Sequence, residues 1–178
     1  MTVRANKPFF NIREKIKELD FFRLPYQKMP PGSVVQVVFN QSNTANNQST
    51  VPANTEHLSI PDTLFTPKLP GSKILIFGSM NFWYQHSSDT VIYGFPRIKR
   101  NGVAYKDAQA AEHIVNGASE IGWKASYDFL DEIPYTLGET ITYTGYWFHT
   151  QPNNVSTMQI NRATTARGSS ITIMEIAQ

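Results

Sequence analysis

Arg97 to Tyr105 reads RIKRNGVAY. At its centre, Asn101-Gly102 is the dipeptide that most readily makes a two-residue hairpin turn, because both residues tolerate the positive φ that such a turn needs. Two strands are therefore expected to leave the turn side by side. Outward from it the same texture recurs. Ser33 to Asn40 (SVVQVVFN) is short and β-branched, and Lys73 to Tyr84 (KILIFGSMNFWY) reads as a long strand. Ile121 to Leu130, Thr140 to Phe148, Ser156 to Arg162 and Ser170 to Ile176 supply more, with a short piece near His57 to Ile60. That makes roughly eight or nine strands split by Gly, Pro and Asn clusters, with no helical run of ordinary length between them, which predicts an all-β sandwich or barrel.

Composition agrees. The chain has 178 residues, 40% hydrophobic and only 17% charged. Ser, Thr, Asn and Gln account for 51 of the 178, the polar-neutral bias of a loop-rich β protein. The length suits one domain with an appendage. With no cysteine, disulfide scaffolds and thiolate zinc sites are excluded. No stretch approaches the ~18 apolar residues of a membrane span. No apolar run follows Arg4 and Lys7, so a secretory signal is not expected.

Charge is uneven. Residues 1–33 carry seven bases and three acids, a net +4, whereas the remainder carries −2. Such a basic head suits an acidic partner surface or nucleic acid. Within it, Asn11 and Glu14 have capping-box spacing, and Ile12, Ile16 and Leu19 repeat at helical spacing. The expected two-turn helix is too short to persist alone in water and needs a surface to dock on. Pro25, Pro30, Pro31 and Gly32 end the pattern. An arm over 1–32 and a β domain over 33–178 follow.

Three strands are apolar on both faces. Ile74, Ile76, Met80 and Phe82 oppose Leu75, Phe77 and Trp83; Tyr143 and Trp147 oppose Tyr146 and Phe148; Ile171 and Ile173 oppose Met174 and Ile176. A solvated sandwich shows one polar face per strand. Either loops cover the outer faces, or another subunit does; a trimerising jelly roll would satisfy the pattern.

Signals of catalysis are weak. No G-x-S-x-G, H-E-x-x-H, P-loop or G-x-G-x-x-G pattern occurs. His57, His86, His113 and His149 are isolated in sequence and read as structural or surface residues. Asp131 and Glu132 are neighbours on opposite faces and read as a solvated turn before Pro134, not as an acid/base pair. Arg97, Lys99, Arg100 and Lys106 flank the hairpin; they read as a charged edge that resists strand addition, with a phosphate or glycan patch as the rival reading. Gln41 to Asn54 (QSNTANNQSTVPAN) reads as an exposed polar loop, with Asn43, Asn46, Asn47 and Gln48 as receptor or glycan contact candidates.

Two stretches resemble one family. Lys7 to Asp20, KPFFNIREKIKELD, is similar to the opening segment of virion structural proteins of marine tailed phages, cyanophages included. Residues 169–177, SSITIMEIA, resemble the last strand of trimeric jelly-roll domains in phage fibre and head-appendage proteins. GSKILIF (71–77), Arg100-Asn101-Gly102 and TITYTG (140–145) are similar to strands and a hairpin of those modules. The resemblance implies a tumour-necrosis-factor-like jelly roll, assembled as a homotrimeric knob on the particle surface. It implies no catalysis, cofactor, metal or membrane insertion, and no nucleic-acid partner. The family is usually longer; without a shaft between arm and β domain, a compact knob is expected. Ile12, Ile16, Leu19, Phe21 and Phe22 would then dock on capsid, portal or tail proteins while Arg13, Lys15 and Lys17 meet acidic surface. Trp83, Tyr146, Phe148 and Met174 are the trimer-interface candidates. The rival expectations are a lectin-like carbohydrate-binding module and a cupin-like metalloenzyme.

Overall fold

The computed structural model describes residues 28–48, 54–86, 90–108, 111–115, 119–149, 155–161 and 168–178. Among these residues eleven strands are formed: β1 (Val34–Ser42), β2 (Asn46–Gln48), β3 (Thr55–Phe65), β4 (Lys73–His86), β5 (Thr90–Arg100), β6 (Val103–Asp107), β7 (Ala111–Val115), β8 (Ser119–Asp131), β9 (Ile141–His149), β10 (Val155–Ile160) and β11 (Ser169–Ile176). The expected helix at Ile12 to Leu19, and with it every anchoring residue from Ile12 to Phe22, lies outside the described residues.

Three pairs are broken halves of one rod. β10 and β11 lie end to end along β4, β6 and β7 lie end to end along β5, and β1 and β2 continue β11 and β10 outward. Merging the halves leaves eight rods in two antiparallel sheets. The first sheet runs β1/β2, β11/β10, β4, β8; the second runs β3, β9, β5, β6/β7. The pairings nest. β5 pairs with β6 across the Asn101-Gly102 turn, β4 with β8, β3 with β9, and β1 with β11. This is one long hairpin rolled into two sheets, the jelly-roll arrangement. Its tip is the turn singled out in the sequence, with φ of 51° at Asn101 and 81° at Gly102.

Alternation fills the core as the sequence predicts. Ile74, Ile76, Met80 and Phe82 of β4 face inward against Tyr143 and Trp147 of β9 and Ile171 and Ile173 of β11. Trp147 stacks on Phe82 with centroids 3.6 Å apart, and its Nε1–H donates to Tyr84 Oη at 2.5 Å. Gly94 makes room for that indole, since a Cβ there would lie 2.5 Å from Trp147 Cζ2. Gly145 does the same for Met80 and Ile60.

Two groups of buried polar residues stand out, and the first differs from expectation. Asp131 is not a solvated turn residue. It closes β8 inside the core, where it accepts a hydrogen bond from Tyr143 Oη and one from the Ile133 N–H at 3.0 Å. Arg100, placed by sequence on a charged edge, points inward with its Nε 2.8 Å from Asp131 Oδ2. The N–H is not aligned on that oxygen, so charge rather than a hydrogen bond holds the pair. Burial, reinforced by the Asp131 carboxylate, pushes the Tyr143 hydroxyl above the ordinary tyrosine pKa.

The second is Glu175, wholly buried in β11. It accepts from the backbone N–H groups of Lys68 and Leu69 (2.9 and 2.7 Å), Ser72 Oγ (2.7 Å) and Gln36 Nε2 (2.7 Å). One carboxylate thus ties β1, the β3–β4 connection and β11 together. Glu175→Ala strands these donors in a dry site, a loss of about 3 kcal/mol. At this chain length that lowers Tm by roughly 6–12 °C. Thermal denaturation followed by circular dichroism checks this, and an unchanged Tm would contradict the clamp.

Candidate functional site

The two sheets present very different outer faces. On the second sheet, Tyr146 and Phe148 of β9 point away from the core, and Phe95 of β5 stacks on Phe148 at 5.1 Å. These rings are roofed. Arg97 lies over Phe148 at 4.0 Å and Lys99 over Tyr146 at 4.5 Å, a cation–π arrangement. Arg97 is also gripped by both oxygens of Asp107 (2.6 and 2.8 Å) and by Glu56 (3.1 Å), and Lys99 pairs with Glu56. Burial opposes ionisation of Glu56, but the hydrogen bonds from Lys99 and Arg97 outweigh it and hold its pKa below the usual carboxylate value. Arg97 and Lys99 therefore sit on the face of a central strand, not at an edge as expected, and their charge is already matched by acids.

The outer face of the first sheet has no such roof among the described residues. Its register builds two rows that cross all four rods. Val37, Met174, Leu75 and Leu130 form one; Phe39, Thr172, Phe77 and Asp128 form the next. Phe39 is 61% exposed, Val37 49% and Leu130 39%, while Leu75, Phe77 and Met174 are half-buried. Val34, 49% exposed, extends the patch beside half-buried Ile176. The second apolar faces read from β4 and β11 thus meet on one surface. The strongest exposed members, Val37 and Phe39, escaped attention because their strand, SVVQVVFN, looks like ordinary core when read alone.

The remaining interface candidates disperse. Trp83 is buried beside Gly122 of β8, whereas Met174 lies in the first apolar row. Asn43 is exposed and accepts a hydrogen bond from Gln41 Nε2 at 3.1 Å. Asn46, Asn47 and Gln48 form β2 and pair with β10, so this part of the polar run is strand, not loop.

A cleft of about 420 Å³ lies at the end of β4 and β8, lined by Ser72, Lys73, Asp131, Glu132 and Tyr135 among others. Its buried polar groups are engaged within the fold: Tyr135 Oη donates to Leu69 O at 2.7 Å, and Ser72 Oγ donates to Glu175 at 2.7 Å. Among the described residues no three His, Asp or Glu side chains converge as metal ligands. His149 lies against Tyr84, its Nδ1 3.0 Å from the hydroxyl, and His57 Nε2 lies 2.9 Å from Thr55 Oγ1. Among the described residues no helix is long and apolar enough to cross a membrane.

No family model matches the sequence, and no curated protein is significantly similar to it. Among solved structures, a chain of infectious bursal disease virus, Gt strain, is similar over 80% of this chain and 38% of its own, with 11% identity and a TM-score of 0.39. Eiger TNF from S. frugiperda is similar over 84% and 95%, with 9% identity and a TM-score of 0.33. The Gx strain virus chain covers 80% and 40%, with 10% identity and a TM-score of 0.28. The present chain spans about two-fifths of the viral chains. Its jelly-roll assignment rests on its own strand order.

Burial depresses the pKa of His57. A depressed histidine stabilises the fold fully above its unfolded value near ~6.5 and loses that contribution as pH falls through the folded value. Tm is therefore expected to drop between about pH 7 and pH 5, and to drop less in His57→Gln. Parallel pH series of thermal melts on the two proteins check this; equal slopes would show that His57 is not responsible.

Proposed function

We propose that the chain is a non-enzymatic virion structural protein. Its jelly roll self-associates, as a homotrimer, into a compact knob on the particle surface, and its N-terminal segment attaches the knob to capsid, portal or tail proteins. Contact with a host surface is a further role of such a knob. The apolar row Val37–Met174–Leu75–Leu130 is the observation that carries this reading, because it crosses an entire outer sheet face. The largest apolar patch on a folded chain is often its functional one. The similarity of KPFFNIREKIKELD to phage virion segments supports the attachment role.

Sedimentation equilibrium at micromolar concentration is expected to give three times the 20.1 kDa chain mass. A mass of one chain would refute self-association. Deleting residues 1–28 is expected to leave the knob assembled but absent from purified particles. Normal incorporation of the truncated chain would refute the attachment role.

A further inference from the structure

We infer that a second copy of this chain docks on the outer face of the β1–β11–β4–β8 sheet, entering from the β1 edge. The inference rests on the self-association just proposed and assigns it to one surface.

Three observations single out this face. First, Val34, Val37, Phe39 and Leu130 together leave roughly 350 Å² exposed, within the range of the largest apolar patch on a monomer. That is a little under half of the ~800 Å² that each partner buries in a standard interface. Half-buried Leu75, Phe77 and Met174 extend the patch inward. Second, the aromatic outer face of the other sheet is covered within the same chain by Arg97 and Lys99. Third, the four sheet edges are not alike. β3 carries Glu56, Pro61 and Asp62 and two register shifts; β6 carries Lys106 and Asp107; β8 carries Lys124 and Asp128. Charges, proline and bulges of this kind keep edges from pairing. β1, VVQVVFNQS, has none of these residues along nine positions and one irregularity at its start.

Charge separates a second copy from the chain's own first segment as occupant. Residues 1–33 carry net +4, and strand register places Lys73 and Lys124 on this face against Glu120 and Asp128, no net charge. The basic segment finds no complementary charge there, whereas the uncharged β1 edge of another copy needs none.

The test is sedimentation velocity of the full chain across a dilution series, for wild type, Phe39→Ser and Leu64→Ser. Leu64 is 62% exposed on β3, in the other sheet, and serves as the control. Phe39→Ser is expected to weaken assembly at least about tenfold, as loss of a central aromatic anchor does, while Leu64→Ser assembles like wild type. Unchanged circular dichroism in both variants shows that the fold is intact. If Phe39→Ser assembles like wild type, the face is wrong while self-association stands. If wild type itself is monomeric, the self-association reading falls and the inference with it. The sequence has no cysteine, so Thr172→Cys places a single thiol at the centre of the face. Its alkylation is expected to be slow in the assembly and fast after dilution to monomer. Slow alkylation in the monomer would mean that the chain's own segment covers the face, which overturns the proposal.

Discussion

Nested pairing is the constraint from which the rest of this fold follows. Once Asn101-Gly102 reverses the chain, β5 and β6 are committed, and each earlier rod must find its later counterpart: β4 with β8, β3 with β9, β1 with β11. The tip is local and cheap to form. The open end is not, because β1 and β11 are separated by most of the chain and loop closure costs entropy. Glu175 acts at that open end. By gathering donors from Gln36, Lys68, Leu69 and Ser72, it sets the outer hairpin pair against the crossing from the second sheet to the first. A carboxylate is costly to bury, and this one is satisfied by four separate groups. The roll is therefore closed at one end by a two-residue turn and at the other by one buried side chain.

The same sequence signal, apolar residues on both faces of a strand, has two physical outcomes. On β9 the outer aromatics keep their place in a monomer because Arg97 and Lys99 lie flat over them, with Glu56 and Asp107 neutralising the cations. The aliphatic stems and π faces exclude water together. On β4 and β11 no cation among the described residues reaches across. Lys73 and Lys124 stand at the margins, and the rows between them are aliphatic and aromatic. Counting faces in the sequence could not separate these cases. The roof comes from β3, β5 and β6, and only register places their charges over the rings.

Legibility followed locality. The hairpin tip, β4, β8, β9 and β11 were readable because long apolar alternation fixes a strand without help. β3 runs over eleven residues, although only His57 to Ile60 looked like strand. Two register shifts and Pro61 disrupt its alternation, and such shifts are defined by the partner strand. The first half of β5 was hidden by Gly94 and Pro96, both of which read as breakers. Gly94 is there for the Trp147 ring, and Pro96 sits where β7 pairing has ended and β6 pairing has not begun. Asp131 and Arg100 were misread for a related reason. Each looks solvated beside a turn, and only the nesting of β8 and β9 over β5 brings them to one buried spot near Tyr143.

On the proposed self-association, the outer face of the first sheet also bears on the symmetry of the assembly. Its apolar area falls short of what a standard partner buries, and association carries a large entropic cost before any contact is repaid. A single pairwise contact of that size would be weak. A closed ring changes the balance, because each copy then makes two contacts and the last is formed between chains already held near one another. One end of the first sheet offers an uncharged edge and its middle offers rows of Leu75, Phe77 and Met174, so a copy has two unlike surfaces to present to two neighbours. Unlike surfaces that meet head to tail give rings when the rotation closes, whereas a face that meets only itself stops at two copies. Within that proposal the composition of β1 favours a small closed ring, and the charges on β3, β6 and β8 restrict growth at every other edge.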